Sequence, residues 1–385
     1  MANLFDYLDW RGDLTVEEAG INPVDGLILS CLSYVVLDHV EEKADFEKGI
    51  TVERAAELFQ PLTEEEKRLR DPKDEQLLTE MAGSHRFGQM KIRYYTKAFD
   101  REREEQFAAL CVELGDGSYF LSFRGTDYTV AGWKEDFNMS FRTGVPAQQE
   151  AVRYLKDIAE QVEGPLYLGG HSKGGNLAAF AAAYAGDAIQ ERIVGVFNND
   201  GPGFLEEVIQ SEGYRNIYKK IGTFIPQASL VGILLEHEED FIIIKSDQYS
   251  VMQHDPYSWE VMGPDFIYLK EVTKGSRFMN EAIHGWLSDV SVEQRERFVD
   301  AVFEVVNVNN AATLQEMVEA WIKNAGRIVK NLRDVDDETS EMIQNILTLL
   351  VENLVRSAQN LFLEEQEKRM EPFLEKLEQF RSSKQ

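Results

Sequence analysis

A chain of 385 residues with 43% hydrophobic content is long enough for one large domain with an appendage, or for two domains, and apolar enough to build a sizeable core, which excludes wholesale disorder. Its net charge of −28 repels nucleic acid and anionic membrane surfaces alike, so neither is expected as a partner. Cys31 and Cys111 lie in apolar settings without Cys-x-x-Cys or Cys/His spacing; they read as buried free thiols, with no disulfide framework and no structural metal.

The N-terminus carries Asp6, Asp9, Asp13, Glu17 and Glu18 before any apolar segment, so no secretory signal is expected. No window reaches the roughly 18 apolar residues of a membrane span. The cytoplasm is the expected location. From Asp25 to Val40, the positions of Leu27, Ile28, Cys31, Leu32, Val35 and Val36 follow helical spacing and predict a core-packing helix. The charged stretch 41–86, with Glu64, Glu65, Glu66, Lys67 and Arg68 and few apolar anchors, predicts a helical surface insertion or cap.

Strand signals follow at 90–95, 107–114 and 119–123, the last two joined by a Gly115-Asp116-Gly117-Ser118 turn. An amphipathic helix is predicted over 147–162, a strand over 165–168, a helix over 174–185, and strands over 192–197, 221–225 and 241–245. An antiparallel entry followed by alternating strands and helices describes an α/β fold. Its central sheet is mostly parallel and flanked by helices, with the active site at the carboxyl ends of the strands. The domain so described covers 1–290. Residues 291–385 read as an all-helical extension, in which Ile343, Leu347, Leu350, Leu354 and Leu361 form a stripe that Pro372 interrupts. That stripe packs on the body or serves self-association as a homodimer.

The most informative segment is Gly170-His171-Ser172-Lys173-Gly174, set between the apolar run 165–168 and the small-residue run 176–183. A serine lifted on a sharp strand-to-helix turn crowds its neighbours, so glycine is needed two positions to either side. The helix that follows aims its free N–H groups at the place where an oxyanion would develop. A serine nucleophile also needs a base, an orienting acid and a second oxyanion donor, with acid and base following the serine in that order. Strand 119–123 ends in Arg124-Gly125-Thr126-Asp127, where glycine lets the N–H of Thr126 face the same cavity as that of Lys173. Of the six histidines, His254 lies in the loop after the last strand and is the best candidate base, with His237 as the fallback. His171 is read as pointing away from the nucleophile.

Phe123-Arg124-Gly125-Thr126 with Trp133 and Asp136, Gly170-His171-Ser172-Lys173-Gly174-Gly175, and His254 with Pro256 and Trp259 together resemble the class 3 lipases of the α/β-hydrolase fold, over roughly residues 90–262. The opening Asp9-Trp10-Arg11-Gly12-Asp13-Leu14 and the lysine after the serine look like a bacterial branch of that fold, for which the resemblance supplies no substrate. The resemblance implies Ser172 as nucleophile, His254 as base, and the N–H groups of Thr126 and Lys173 as oxyanion hole. Where the lipases place leucine, Lys173 stands here, either paired to a carboxylate at the surface or recognising an anionic substrate group.

The lipase pattern also implies an aspartate after the strand that ends at Ile225, but the chain there reads Pro226-Gln227-Ala228-Ser229-Leu230-Val231-Gly232. Other α/β-hydrolases resemble this chain in carrying their acid one strand earlier, which points to Asp200. Asp200 is alternatively a cap for a helix beginning near Phe204, and Asp247, Asp255, Glu236 or a Ser–His pair without an acid remain open. The expected activity is cleavage of an ester or related acyl bond in a small-molecule or lipid substrate, without cofactor or metal. A non-catalytic scaffold binding a protein partner and a peptidase or thioesterase using the same residues are the other readings.

Overall fold

Two-residue periodicity along the strands builds two cores, one on each face of the sheet. In the strand Glu105–Glu113, Phe107, Ala109 and Cys111 join one hydrophobic cluster while Leu110 and Val112 join the other. In Tyr119–Phe123, Leu121 and Phe123 side with the former and Phe120 with the latter. A strand that alternates two apolar sets must be covered on both faces. The two thiols are accordingly free and buried, Cys31 in one cluster and Cys111 in the other.

The structure, a computed structural model, describes residues 2–100, 105–126, 142–229 and 237–273, with 139, 231–233, 235, 275 and 276. Among the described residues the strands of the main sheet are β1 (Ile50–Thr51), β2 (Lys91–Asp100), β3 (Glu105–Glu113), β4 (Tyr119–Phe123), β5 (Leu166–His171), β6 (Ile193–Asn199), β7 (Ile221–Pro226) and β8 (Phe241–Ile244). They stand in one sheet in sequence order. β1 to β4 pair antiparallel, and β4 to β8 pair parallel, so the antiparallel entry and parallel body are as the sequence predicts.

Helices α1 (Leu4–Arg11), α2 (Pro23–Leu32), α3 (Val52–Phe59) and α4 (Pro72–Gly83) contribute to the cluster that holds Leu110 and Phe120. Helices α5 (Pro146–Gln161) and α6 (Lys173–Tyr184) build the opposite one. In α5 the buried Ala147, Ala151, Tyr154, Leu155 and Ile158 recur at helical spacing, so one stripe faces the sheet. α6 is buried along almost its whole length; its alanines let the helix lie close against the strands.

Two expectations change. The helix predicted to run to Val40 ends at Leu32, because the Arg124 side chain donates to the carbonyls of Ser33 at 2.5 Å and Val35 at 3.2 Å and holds that backbone out of the helical path. The segment 41–86, expected at the surface, places Val52, Ala55, Phe59, Leu77, Leu78 and Met81 in the core. Its last residue, Arg86, forms a fully buried ion pair with Asp25 at 2.6 Å. The helices expected after residue 290, and with them the homodimer stripe, lie outside the described residues.

Candidate active site

Parallel pairing brings the strand ends to one level. Phe123 stands opposite Gly170, His171 opposite Asn199, and Asn199 opposite Phe224, so the residues that follow these strands emerge side by side. Ser172 follows β5 with φ +59° and ψ −132°, a region a serine adopts only under strain. A Cβ at Gly170 would stand 2.1 Å from the Gly174 carbonyl carbon, and one at Gly174 would stand 2.1 Å from the Phe123 oxygen. Both positions must therefore be glycine for the elbow to close against the end of β4.

Asp200 follows β6, also at positive φ (+54°), and is fully buried. Its Oδ2 lies 2.6 Å from His254 Nδ1. Its Oδ1 accepts from the Ser229 hydroxyl at 2.5 Å and from the Gly232 N–H at 3.1 Å. The loop after β7, which lacks the carboxylate of the lipase pattern, thus supplies the donors that hold a carboxylate from β6. Asp200 does not cap the following helix: Glu206–Ile209 has Leu205 at its N-cap and no side-chain cap.

Two of the other candidate carboxylates are engaged elsewhere. Asp255 pairs with Lys73 at 2.9 Å, Asp247 is exposed and accepts from Gln248, and Glu236 lies outside the described residues. His237, the fallback base, is buried against Glu239 at 3.1 Å and packs on Phe241.

His171 lies between the elbow and the His254 loop. It is buried, its Nε2 lies 2.8 Å from the main-chain oxygen of His254, and the two rings are 4.6 Å apart. His171 thereby ties the His254 loop to the elbow, while no hydrogen bond joins the Ser172 hydroxyl to the His254 ring among the described residues. Catalytic hydrogen bonds are often long before substrate arrives.

Lys173 departs from expectation. Only 1% exposed, it does not lie at the surface, and its ammonium donates to the Gln106 carbonyl at 3.0 Å. Thr126, half-buried, follows Gly125, where a Cβ would stand 2.4 Å from the His171 oxygen. The end of β4 therefore runs directly along the elbow. Among the described residues no three His, Cys, Asp or Glu side chains are grouped to hold a metal ion, and no helix is long and apolar enough to cross a membrane.

The structure adds Ser229, Gly232 and Tyr34, which contacts His171, to the residues around the elbow. Nothing local marks Ser229 or Gly232. For His171 the signal was adjacency to the serine.

A mostly parallel sheet with helices on both faces and a Gly-x-Ser-x-Gly elbow between β5 and α6 defines a lipase-like α/β-hydrolase. The chain belongs to the Mbeg1-like family, whose model matches residues 81–304. Two solved structures are similar to part of it. One is a mutant form of MDLA from Penicillium cyclopium, 15% identical over 63% of this chain and 83% of that one, with a TM-score of 0.35. The other is M37 lipase, 15% identical over 54% of this chain and 69% of that one, with a TM-score of 0.33. No curated protein matches the chain.

Proposed function

We propose that the protein is a serine hydrolase of esterase or lipase type, with Ser172 as nucleophile, His254 as general base, Asp200 as orienting acid, and the main-chain N–H groups of Thr126 and Lys173 as oxyanion donors. The observation that carries this reading is the 2.6 Å contact between His254 Nδ1 and Asp200 Oδ2, beside a serine held at positive φ.

With Nδ1–H given to the carboxylate, His254 keeps the Nε2 lone pair for the Ser172 proton. The serine oxygen attacks the acyl carbonyl, Asp200 steadies the imidazolium, and the two N–H groups receive the oxyanion. His254 then returns the proton to the departing alcohol, leaving an acyl-serine. Water, deprotonated by the same ring, releases the acid. This route needs no metal or organic cofactor.

Labelling with a fluorophosphonate tests the proposal. The adduct is expected on Ser172 and is expected to vanish in Ser172→Ala; a folded protein that stays unlabelled refutes it. Turnover of matched p-nitrophenyl esters, thioesters and anilides then assigns the leaving group.

A further inference from the structure

His171 takes no part in the acyl transfer proposed above, yet it sits between two polar partners in a site closed to water. Its Nδ1 lies 2.8 Å from the Tyr34 hydroxyl, and its Nε2 lies 2.8 Å from the His254 carbonyl. A carbonyl only accepts, so Nε2 carries the hydrogen and Nδ1 accepts from Tyr34 O–H. One neutral tautomer satisfies both contacts. Burial first, then the neighbouring His254 and Arg70, hold the pKa of His171 well below its ordinary 6.5, which keeps that neutral form in place.

The same loop is gripped from a second side. The Arg70 guanidinium lies 3.6 Å over the Tyr34 ring and donates to the fully buried Asp74 at 2.9 Å. Asp74 in turn accepts from the Tyr257 hydroxyl at 2.7 Å, and Lys73 pairs with Asp255. Positions 254, 255 and 257 are thus all held by side chains from outside their loop.

We propose that His171, set by Tyr34, is a positioning residue that fixes the main chain of His254, with Arg70 and the first turn of α4 (Lys73 and Asp74) anchoring the rest of the loop. The inference rests on reading His254 as the base. With its main chain held by His171 and its Nδ1 held by Asp200, the ring has little torsional freedom left. Preorganisation of this kind matters because a misplacement of about 1 Å costs on the order of 100-fold in rate.

The test compares full-length Tyr34→Phe, His171→Leu and His171→Gln, the last keeping an N–H donor near the Nε2 position. For each, ester kcat and KM are measured together with hydrogen–deuterium exchange over residues 250–258. In Tyr34→Phe and His171→Leu, kcat is expected to fall about 10- to 100-fold with KM held within about twofold. Exchange of the loop is expected to quicken about tenfold, the effect of one lost hydrogen bond. His171→Gln is expected to recover most of both.

Tyr34→Phe keeps the aromatic packing, so it reports even if His171→Leu fails to fold. Unchanged kcat and unchanged exchange in Tyr34→Phe overturn the positioning role. If the unmodified protein itself resists fluorophosphonate, the hydrolase reading fails separately, and loop exchange alone decides whether His171 holds this segment.

Discussion

Replacing Asp200 by asparagine is the sharpest perturbation of the site. The side chain is fully buried and accepts from Ser229, Gly232 and His254. In Asp200→Asn the amide oxygen keeps the first two donors, so the position stays filled and largely satisfied. The amide nitrogen then faces His254 Nδ1, and both cannot donate. The imidazole answers by moving its proton to Nε2, the wrong tautomer for a base that must accept from Ser172. An equivalent exchange in serine proteases lowers kcat by about 10⁴, equal to about 5.4 kcal/mol of transition-state stabilisation. The folded state should lose no more than about 2 kcal/mol, because no donor is left bare on the Ser229 side. Ester turnover and the rate of fluorophosphonate labelling give the first quantity, and urea denaturation gives the second. Asp200→Asn turnover within tenfold of the unmodified protein, with collapse in Asp255→Asn instead, refutes the assignment.

Three further outcomes follow from other buried positions. Burial pushes the Glu239 carboxyl up, but hydrogen bonds from His237, Thr223 and Tyr214 outweigh it and hold the pKa at about 2 against an ordinary 4.5. Its stabilisation is whole above the unfolded value and drains as pH falls towards 2. The unmodified protein should therefore lose about 2 kcal/mol more than Glu239→Gln between pH 7 and pH 3, and equal losses in urea titrations count against this. Asp25→Ala leaves the buried Arg86 guanidinium without its carboxylate and should cost about 3–5 kcal/mol in the same assay; a loss under about 1 kcal/mol refutes this. Gly174→Ala drives a methyl into the Phe123 carbonyl and should destabilise by about 3 kcal/mol while abolishing labelling, whereas an unaltered melting temperature shows that the elbow is looser than drawn.

Much of this architecture was legible because its signals are local. The run Leu166–His171, the glycines around Ser172 and the alanine-rich helix after it lie within twenty residues and follow strand, turn and helix periods directly. The hairpin between β3 and β4 and the stripe of α5 were readable for the same reason. The end of α2 was not, because the guanidinium that stops it comes from Arg124, far along the chain. The segment 41–86 looked like surface because its charges are conspicuous. Some of them, such as Arg70, Asp74 and Arg86, are instead paired within the protein, and pairing leaves no trace in composition.

By itself the sequence determined the order of strands and helices, the serine elbow and the histidine loop, since each is a matter of spacing along one segment. Which carboxylate meets that histidine was decided only in three dimensions. Asp200 and His254 come together because β6 and β7 pair in register and because Ser229 and Gly232 surround the buried charge. The same holds for Tyr34 and His171, separated by 137 positions, and for Lys173, whose ammonium turned inward to the Gln106 carbonyl. A buried polar group must find a partner wherever the fold offers one, and that choice belongs to the packing of distant segments.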